Sequence, residues 1–262
     1  MAELVKALMI GDVIGEPGMK ALFAGLGELT RRLGADIVVV NGENSAGGFG
    51  ITKDECDRFF ELGAHVITTG NHVWEKKGVM ELLDAEPRLL RPANYPMGAP
   101  GRGWCLIETA SASWAVVNLQ GRESLYAIDC PFRTADAVLA EIQARKPEAF
   151  IVVDFHAEAN EEKEALGFYL DGRVAGLAGT HTHVQTADNR ILPKGTGYIS
   201  DIGMTGPEDS VIGVKTEICI RRGLTQIPIK METAEGSASI RGILFSIDVE
   251  TRRCVGAELV KA

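Results

Sequence analysis

Seven side chains that could bind metal ions follow short apolar runs along the chain. All are carboxylates, amides or imidazoles, which bind transition metals through oxygen or nitrogen, and no thiolate is required. Two adjacent divalent metals need a bridging carboxylate together with several neutral imidazole and amide ligands, and this set offers both. The candidate ligands are Asp12, Glu43, Asn44, Asn71, His156, His181 and His183.

The spacing of these residues favours one shared site. Asp12 and Glu43 are 31 residues apart, and Glu43 and Asn71 are 28 apart, which is about the length of one strand–helix–strand step. His181 and His183 are separated by one residue, and we expect them to lie in an extended segment, where both side chains point the same way. Each residue alone has an ordinary structural explanation, such as a turn or a helix cap, so the prediction depends on the combination.

The elements that must position these groups alternate between strands and helices in the first half of the chain. Continuous runs of valine and isoleucine indicate strands buried on both faces, as in parallel sheets, and function is usually placed in loops at the carboxyl ends of such strands. Strands are predicted over residues 5–10, 37–40 and 66–69, and helices over 19–32, 52–62 and 75–83.

The rest of the chain predicts a different strand order. Residues 104–107 and 114–119 indicate a hairpin, and the runs 150–155 and 174–178 lead into the histidines. The last third alternates like antiparallel strands over residues 216–221, 239–248 and 254–259. These patterns predict an α/β fold, a mixed-sheet sandwich flanked by helices, rather than a pure βα repeat.

Chain length and loop composition indicate one domain over residues 1–262. The stretch 92–103 holds three prolines and three glycines. A lid or inserted small cap is therefore expected within residues 92–133.

Composition excludes several classes of partner. With 45% hydrophobic and 24% charged residues, and no apolar run near the roughly 18–20 residues that cross a bilayer, we expect no membrane partner. No export signal is recognised, and five scattered cysteines without a C-x-x-C pair fit a reducing cytoplasm. A net charge of −9 disfavours an extended nucleic-acid duplex but not a small phosphorylated ligand at a metal site.

Two further polar residues and one histidine have structural interpretations. Asp154 lies inside an apolar run, where an unpaired charge would be costly, so it is expected to accept a hydrogen bond near the ligands. The same role is expected of Asp201. His65 matches no ligand motif and is predicted to be structural.

The ordered motifs resemble those of the calcineurin-like metallophosphoesterases. In two places the chain differs from that superfamily, because the usual D-x-H is Asp12-Val13-Ile14 and the second-motif aspartate is Glu43 followed by Asn44. Both differences agree with the YmdB-like branch, which the chain resembles over nearly its full length. The motifs are Gly11-Asp12, Gly42-Glu43-Asn44, Gly70-Asn71-His72, Asp154-Phe155-His156, Gly179-Thr180-His181-Thr182-His183 and the stretch 201–207.

The resemblance implies a metallophosphoesterase-like α/β/β/α fold and two divalent or mixed-valence metal ions per chain. The first metal would be held by Asp12, Glu43, Asn44 and His183, and the second by Glu43, Asn71, His156 and His181, so that Glu43 bridges them. Nitrogen and oxygen ligands favour iron or manganese, with zinc, cobalt or nickel as alternatives, over magnesium and calcium.

The resemblance also implies a phosphodiesterase acting on small cyclic nucleotides, with 2′,3′-cyclic nucleotides as the specific expectation. A hydroxide bridging the metals would attack phosphorus, and His72 would donate a proton to the leaving oxygen. An amidohydrolase-like barrel is disfavoured, because the H-x-H pair comes late and the last third lacks βα alternation. The alternative is a metal-binding regulatory protein acting through a protein or RNA partner, and a homo-oligomer is compatible with either.

Overall fold

The valine- and isoleucine-rich runs become strands because each is buried on both faces, between a second sheet and a layer of helices. The computed structural model describes residues 3–262, so the first two residues of the predicted domain lie outside the described part of the chain. The strands of the first sheet, in spatial order, are β14 (Cys254–Lys261), β13 (Arg241–Asp248), β1 (Leu4–Ile10), β3 (Ile37–Asn41) and β4 (Val66–Thr68).

The second sheet has six strands and packs against the first. Its spatial order is β5 (Trp104–Glu108), β6 (Ser113–Gln120), β7 (Phe150–His156), β8 (Gly176–Thr180), β10 (Gly197–Ile199) and β9 (Arg190–Ile191). A small third sheet joins β12 (Ala238–Ser239), β11 (Met204–Pro207) and β2 (Asp12–Val13). Both large sheets are mixed, since β1 pairs parallel with β3 but antiparallel with β13, and β6 pairs parallel with β7 but antiparallel with β5.

Helices cover the outer face of each large sheet. Apolar residues of α1 (Gly15–Leu33), α2 (Lys53–Glu61) and α3 (Val79–Ala85) pack on the first sheet. Those of α4 (Pro131–Arg145) and α5 (Asn160–Leu170) pack on the second. The predicted α/β/β/α sandwich is therefore confirmed.

The core between the sheets follows from strand alternation. In β1, Leu8 faces the helices of its own side, whereas Met9 points between the sheets and belongs to the same core cluster as Trp114 and Val152. Towards the carboxyl ends of the strands, the positions between the sheets become polar, as at Asp154 in β7. The layer between the sheets thus ends in a buried polar region at one edge of the sandwich.

Three parts of the predicted secondary structure are corrected. Residues 216–221 are not a strand but belong to a helix, α6 (Thr216–Thr225); the alternation of Ile218 and Ile220 suggested a strand, yet no residue of this helix is buried. The third helix begins at Val79 rather than at residue 75. Helices α4 and α5 were not predicted, although Ala135, Val138 and Ile142 show the helical spacing.

The predicted hairpin is confirmed, and its place limits where a lid could lie. Strands β5 and β6 are members of the six-stranded sheet, so residues 104–120 belong to the sandwich itself. A lid within residues 92–133 would consist of the connecting segments 92–103 and 121–130 and remains a prediction. Over residues 3–262, no helix has the length and apolar character to cross a membrane.

Two neighbouring glycines make room for a buried ring between the sheets. Gly176 and Gly197 are paired across β8 and β10, and a Cβ atom at either would lie 2.5 Å or 2.6 Å from the ring of Phe245. We expect Gly176→Ala to lower the free energy of unfolding by about 1–3 kcal/mol, because the core must shift to admit the methyl group. Urea denaturation measures this change.

The control for this variant is Gly27→Ala. Gly27 lies within α1, where a Cβ atom would meet no atom of residues 3–262 within 4 Å outside the helix's own backbone. Alanine should raise the free energy of unfolding there by about 0.5–1 kcal/mol through its higher helix propensity. A Gly176→Ala protein as stable as the wild type would contradict the packing described for Phe245.

Candidate metal centre

The seven predicted ligands lie at or just beyond the carboxyl ends of strands. Parallel strands of both sheets end at the same edge, and the polypeptide after each strand turns across it. Asp12 lies in β2, Glu43 and Asn44 follow β3, Asn71 follows β4, His156 ends β7, and His181 and His183 follow β8.

Four of these ligands converge on one point. The Nε2 atom of His156 lies 2.9 Å from Oε1 of Glu43, 3.0 Å from Nδ1 of His181 and 3.1 Å from Oδ1 of Asn71. With metal–ligand bonds of about 2.1 Å, adjacent ligand atoms of a regular octahedron are about 3.0 Å apart. These four groups could therefore hold one metal ion.

A buried hydrogen-bond network sets the tautomer of His156. Its Nδ1 lies 2.9 Å from the Thr180 hydroxyl, which donates its proton to Asp154 at 2.7 Å. Since Thr180 has only one proton to donate, Nδ1 carries the proton of the ring and Nε2 presents a lone pair. Asp154 also accepts hydrogen bonds from Asn41, at 3.0 Å, and from Thr68, which confirms its predicted role.

The remaining ligands leave unpaired oxygens beside this cluster. Oδ1 of Asp12 and Oδ1 of Asn44 are buried and have no hydrogen-bond partner among the described residues. The Asn44 amide is oriented by its Nδ2, which donates to the carbonyl of Gly48 at 3.0 Å. Nε2 of His183 lies 4.0 Å from Oδ1 of Asp12, and its Nδ1 donates to the carbonyl of Ile212 at 2.8 Å.

Buried acceptors without donors are costly unless a cation satisfies them. The orphaned oxygens of Asp12 and Asn44 and Nε2 of His183, which lies 4.0 Å from the Asp12 oxygen, are the predicted ligand atoms outside the first group. Glu43 lies in the first group, and the resemblance places it between the two as a bridge. The residues present therefore fit a metal ion at the first group, and a second ion held by the other three ligands remains a prediction.

The expected extended conformation of the H-x-H segment is wrong. His181 and His183 have φ values of 101° and 66°, in the left-handed region that side chains rarely adopt. The two imidazoles consequently belong to different groups, His181 beside His156 and His183 beside Asp12. Such strain persists only where surrounding contacts enforce it, as they do here.

The contacts that enforce this conformation come from Asp201. Its Oδ2 accepts hydrogen bonds from the backbone N–H of Thr182 at 3.0 Å and from the Thr182 hydroxyl at 2.8 Å. The same oxygen accepts from Lys163 Nζ at 2.8 Å, and both members of this ion pair are fully buried. The predicted structural role of Asp201 is confirmed.

Sequence reasoning missed Lys163. The signal was present, because Lys163 occupies the apolar stripe of α5 with Leu166 and Leu170, where a charged residue needs a buried partner. That partner lies 38 residues further along the chain, in a loop whose position the sequence does not reveal.

His72 lies beside the cluster without entering it. Its backbone N–H donates to Oε2 of Glu43 at 3.2 Å, while its imidazole is 26% exposed and its Nδ1 lies 3.5 Å from Glu75. A side chain so placed can face a bound substrate. The structural role predicted for His65 agrees with its Nδ1, which accepts the backbone N–H of Val38 at 3.1 Å.

Burial controls the protonation of the site. It raises the pKa of the Asp12 and Glu43 carboxyls to about 7, because their charged forms lose hydration. It lowers the pKa of His156 to about 4 and that of His181 to about 3 for the same reason. At neutral pH both imidazoles are therefore neutral and ready to bind metal, whereas protons compete for the two carboxylates.

Gly70 has no room for a side chain. A Cβ atom there would lie 2.3 Å from Nε2 of His156 and 2.4 Å from Oε2 of Glu43. We expect Gly70→Ala to weaken metal binding by at least about 10-fold, because the methyl group displaces ligand atoms. Competition with a metal chelator measures this affinity, and Gly27→Ala is the control. Unchanged affinity in Gly70→Ala would show that these ligand atoms hold no metal.

Metal affinity should also depend on pH. The pKa values raised to about 7 mean that Asp12 and Glu43 bind protons below neutrality in the metal-free protein, so metal must displace them. The affinity for metal should fall as pH decreases from 8 to 5. Metal binding should release protons from the two carboxyls and not from His156 and His181, which are already neutral. Calorimetry in buffers of different ionisation enthalpy measures this release. Metal binding without proton release at pH 6 would contradict the expectation.

The chain matches known proteins over almost its whole length. The family of YmdB-like proteins matches residues 8–260. A 2′,3′-cyclic-nucleotide 2′-phosphodiesterase of Bacillus subtilis strain 168 is 44% identical over 256 residues, which cover 98% of this chain and 96% of the relative.

Two crystal structures share the fold closely. A hypothetical protein from Thermus thermophilus is 39% identical with a TM-score of 0.92, covering 98% of this chain and 99% of the other. A novel phosphatase from Mycoplasma pneumoniae is 32% identical with a TM-score of 0.92, covering 100% of this chain and 94% of the other. The resemblance seen in the motifs is confirmed, and the chain belongs to the family of YmdB-like proteins.

Proposed function

We propose that this chain is a metal-dependent phosphodiesterase that hydrolyses small cyclic nucleotides, and 2′,3′-cyclic nucleotides in particular. The observation that carries the proposal is the cluster of Glu43, His156 and His181, together with buried oxygens of Asp12 and Asn44 that have no hydrogen-bond partner within residues 3–262. A site with this many converging lone pairs is built for cations. Relatives named as a phosphodiesterase and a phosphatase support phosphoric ester hydrolysis as the reaction class.

The ligands divide into two sets that share one carboxylate. Asp12, Asn44 and His183 would hold the first metal, Asn71, His156 and His181 the second, and Glu43 both. Iron or manganese suits these ligands best, and zinc, cobalt or nickel also fits. When bound, two such ions lower the pKa of water and neutralise the oxygens of the phosphoryl group.

The side chains themselves keep the site ready for the substrate. Thr180 and Asp154 hold the His156 ring with its Nε2 lone pair directed at the metal position, and Ile212 does the same for His183. Because these groups are oriented before substrate binds, little reorganisation is needed during the reaction.

His72 supplies the proton for the leaving group. Its Nδ1 faces Glu75, which leaves Nε2 to donate to the leaving oxygen. In a 2′,3′-cyclic phosphate, that oxygen belongs to the ribose and would depart as a strongly basic alkoxide. Ring strain favours opening of such an ester, and protonation by His72 makes it faster still.

Metal analysis and hydrolysis assays of wild type and His72→Ala test the function. The substrates are 2′,3′-cyclic AMP, 3′,5′-cyclic AMP and a plain phosphomonoester. We expect about two metals per chain in both proteins. Turnover of 2′,3′-cyclic AMP should fall about 100- to 10,000-fold in the variant, because general-acid assistance is lost.

Asp12→Asn is the matched variant that tests metal binding. It should lose bound metal as well as activity. Equal or better turnover of the plain monoester by the wild type would contradict the proposed substrate. Two bound metals without turnover of any ester would favour the alternative, a metal-binding regulatory protein that acts through a protein or RNA partner.

A further inference from the structure

A glycine-rich loop presents an aromatic ring to His72. The loop covers residues 46–50, Ala-Gly-Gly-Phe-Gly, and Phe49 is its one large side chain. The rings of Phe49 and His72 meet edge to face, with centroids 4.9 Å apart and planes at 70°. Part of the Phe49 side chain remains exposed, so the contact with His72 does not use its whole surface.

The loop is held in one conformation by its glycines and by hydrogen bonds to Asn44, a predicted metal ligand. Gly47, Gly48 and Gly50 have φ values of 67°, 98° and 73°, which place all three in the left-handed region that favours glycine. The backbone N–H of Gly48 donates to the carbonyl of Asn44 at 3.1 Å, and the Asn44 side chain donates back to the carbonyl of Gly48 at 3.0 Å. The position of Phe49 is thereby tied to a predicted metal ligand.

The loop also packs against the turn that carries His72. A Cβ atom at Gly50 would lie 2.9 Å from Cγ of Lys76 and 3.1 Å from Cβ of Glu75. The backbone N–H of Ala46 closes the loop by donating to the carbonyl of Gly50 at 3.0 Å. The backbone that carries Phe49 is therefore held against the turn of His72.

The proposed function indicates which part of the substrate would lie next to the Phe49 ring. A group that protonates the leaving oxygen must lie beside the leaving group, and in a cyclic nucleotide the leaving oxygen is part of the ribose. The base is attached to the same ribose. A partly exposed aromatic ring in contact with His72 is thus on the side of the site where the nucleoside must lie.

We propose that Phe49 is a specificity-determining residue that stacks against the nucleobase of the substrate. The inference rests on the proposed function and deepens it, because it distinguishes nucleotides from base-free phosphate esters. Every base has a π-face, so stacking tolerates adenine, guanine, cytosine and uracil alike. The rigid loop favours this contact, because little conformational freedom is lost when the base binds.

The kinetic test compares 2′,3′-cyclic AMP with methyl riboside 2,3-cyclic phosphate, which has the same reacting group but no base. In Phe49→Ala, KM for 2′,3′-cyclic AMP should rise at least about 10-fold, while kcat and the kinetics of the base-free ester stay near wild type. Phe49→Trp should restore the low KM. An equal loss on both esters would overturn the proposal, since it would show that Phe49 only orients His72.

Two controls isolate the aromatic face. Phe49→Leu keeps an apolar side chain on the loop but removes the ring. It should therefore show the same rise in KM for 2′,3′-cyclic AMP as Phe49→Ala, and a disturbed loop would not explain that rise. Phe23→Ala removes a phenylalanine that is 80% exposed on α1 and should leave both substrates unaffected. Wild-type KM in Phe49→Leu would overturn the proposal.

Equilibrium binding separates this inference from the proposed function. Calorimetry would compare adenosine 3′-monophosphate with ribose 3-phosphate on metal-loaded wild type and Phe49→Leu. Tighter binding of the nucleotide that disappears in the variant supports the Phe49 contact, even if the wild type hydrolyses no cyclic nucleotide and the proposed function fails. Equal affinities in wild type and variant would overturn the contact, whatever the activity.

Discussion

Two buried carboxyl groups, those of Asp12 and Glu43, are the constraint on which this structure depends, and no lysine or arginine within residues 3–262 forms an ion pair with either. Asp12 and Glu43 are almost completely shielded from water, and burial alone pushes both towards the protonated form. The fully buried lysine nearby, Lys163, already pairs with Asp201. In the proposed metal site, bound cations would displace these protons and balance the carboxylate charge, and the neutral imidazoles of His156 and His181 would complete the coordination.

The sandwich provides the place where such burial is feasible. Two sheets packed face to face exclude water along most of their length, and the layer between them becomes polar only near the carboxyl ends of the strands. There Asp154 lies between hydrogen-bond donors from both sheets, with Asn41 on one side and Thr180 on the other. The same interaction joins the sheets and, through Thr180, orients the predicted metal ligand His156, so the fold and the predicted site depend on each other.

Much of this arrangement could be predicted because it is local in the sequence. Asp12, Glu43 and Asn71 stand directly after apolar runs, and strand ends of that kind carry ligands in many α/β proteins. The rest is not local. The bond from Asn41 to Asp154 spans 113 residues, and only the tertiary fold brings its ends together. The prediction of a strand over residues 216–221 was wrong for another reason. Six residues with alternating apolar side chains fit a strand and a partly exposed helix equally well.

The short peptide from His181 to His183 reaches both groups of ligands, so it couples them mechanically. Whatever immobilises His181 also restricts His183, through two strained residues and the anchored Thr182 between them. In the proposed two-metal site, occupancy of one position would alter the free energy of filling the other, and by linkage the effect would be reciprocal. The proposed site would then load its metals as an interdependent pair, because one short, anchored length of backbone joins the two histidines that would bind them.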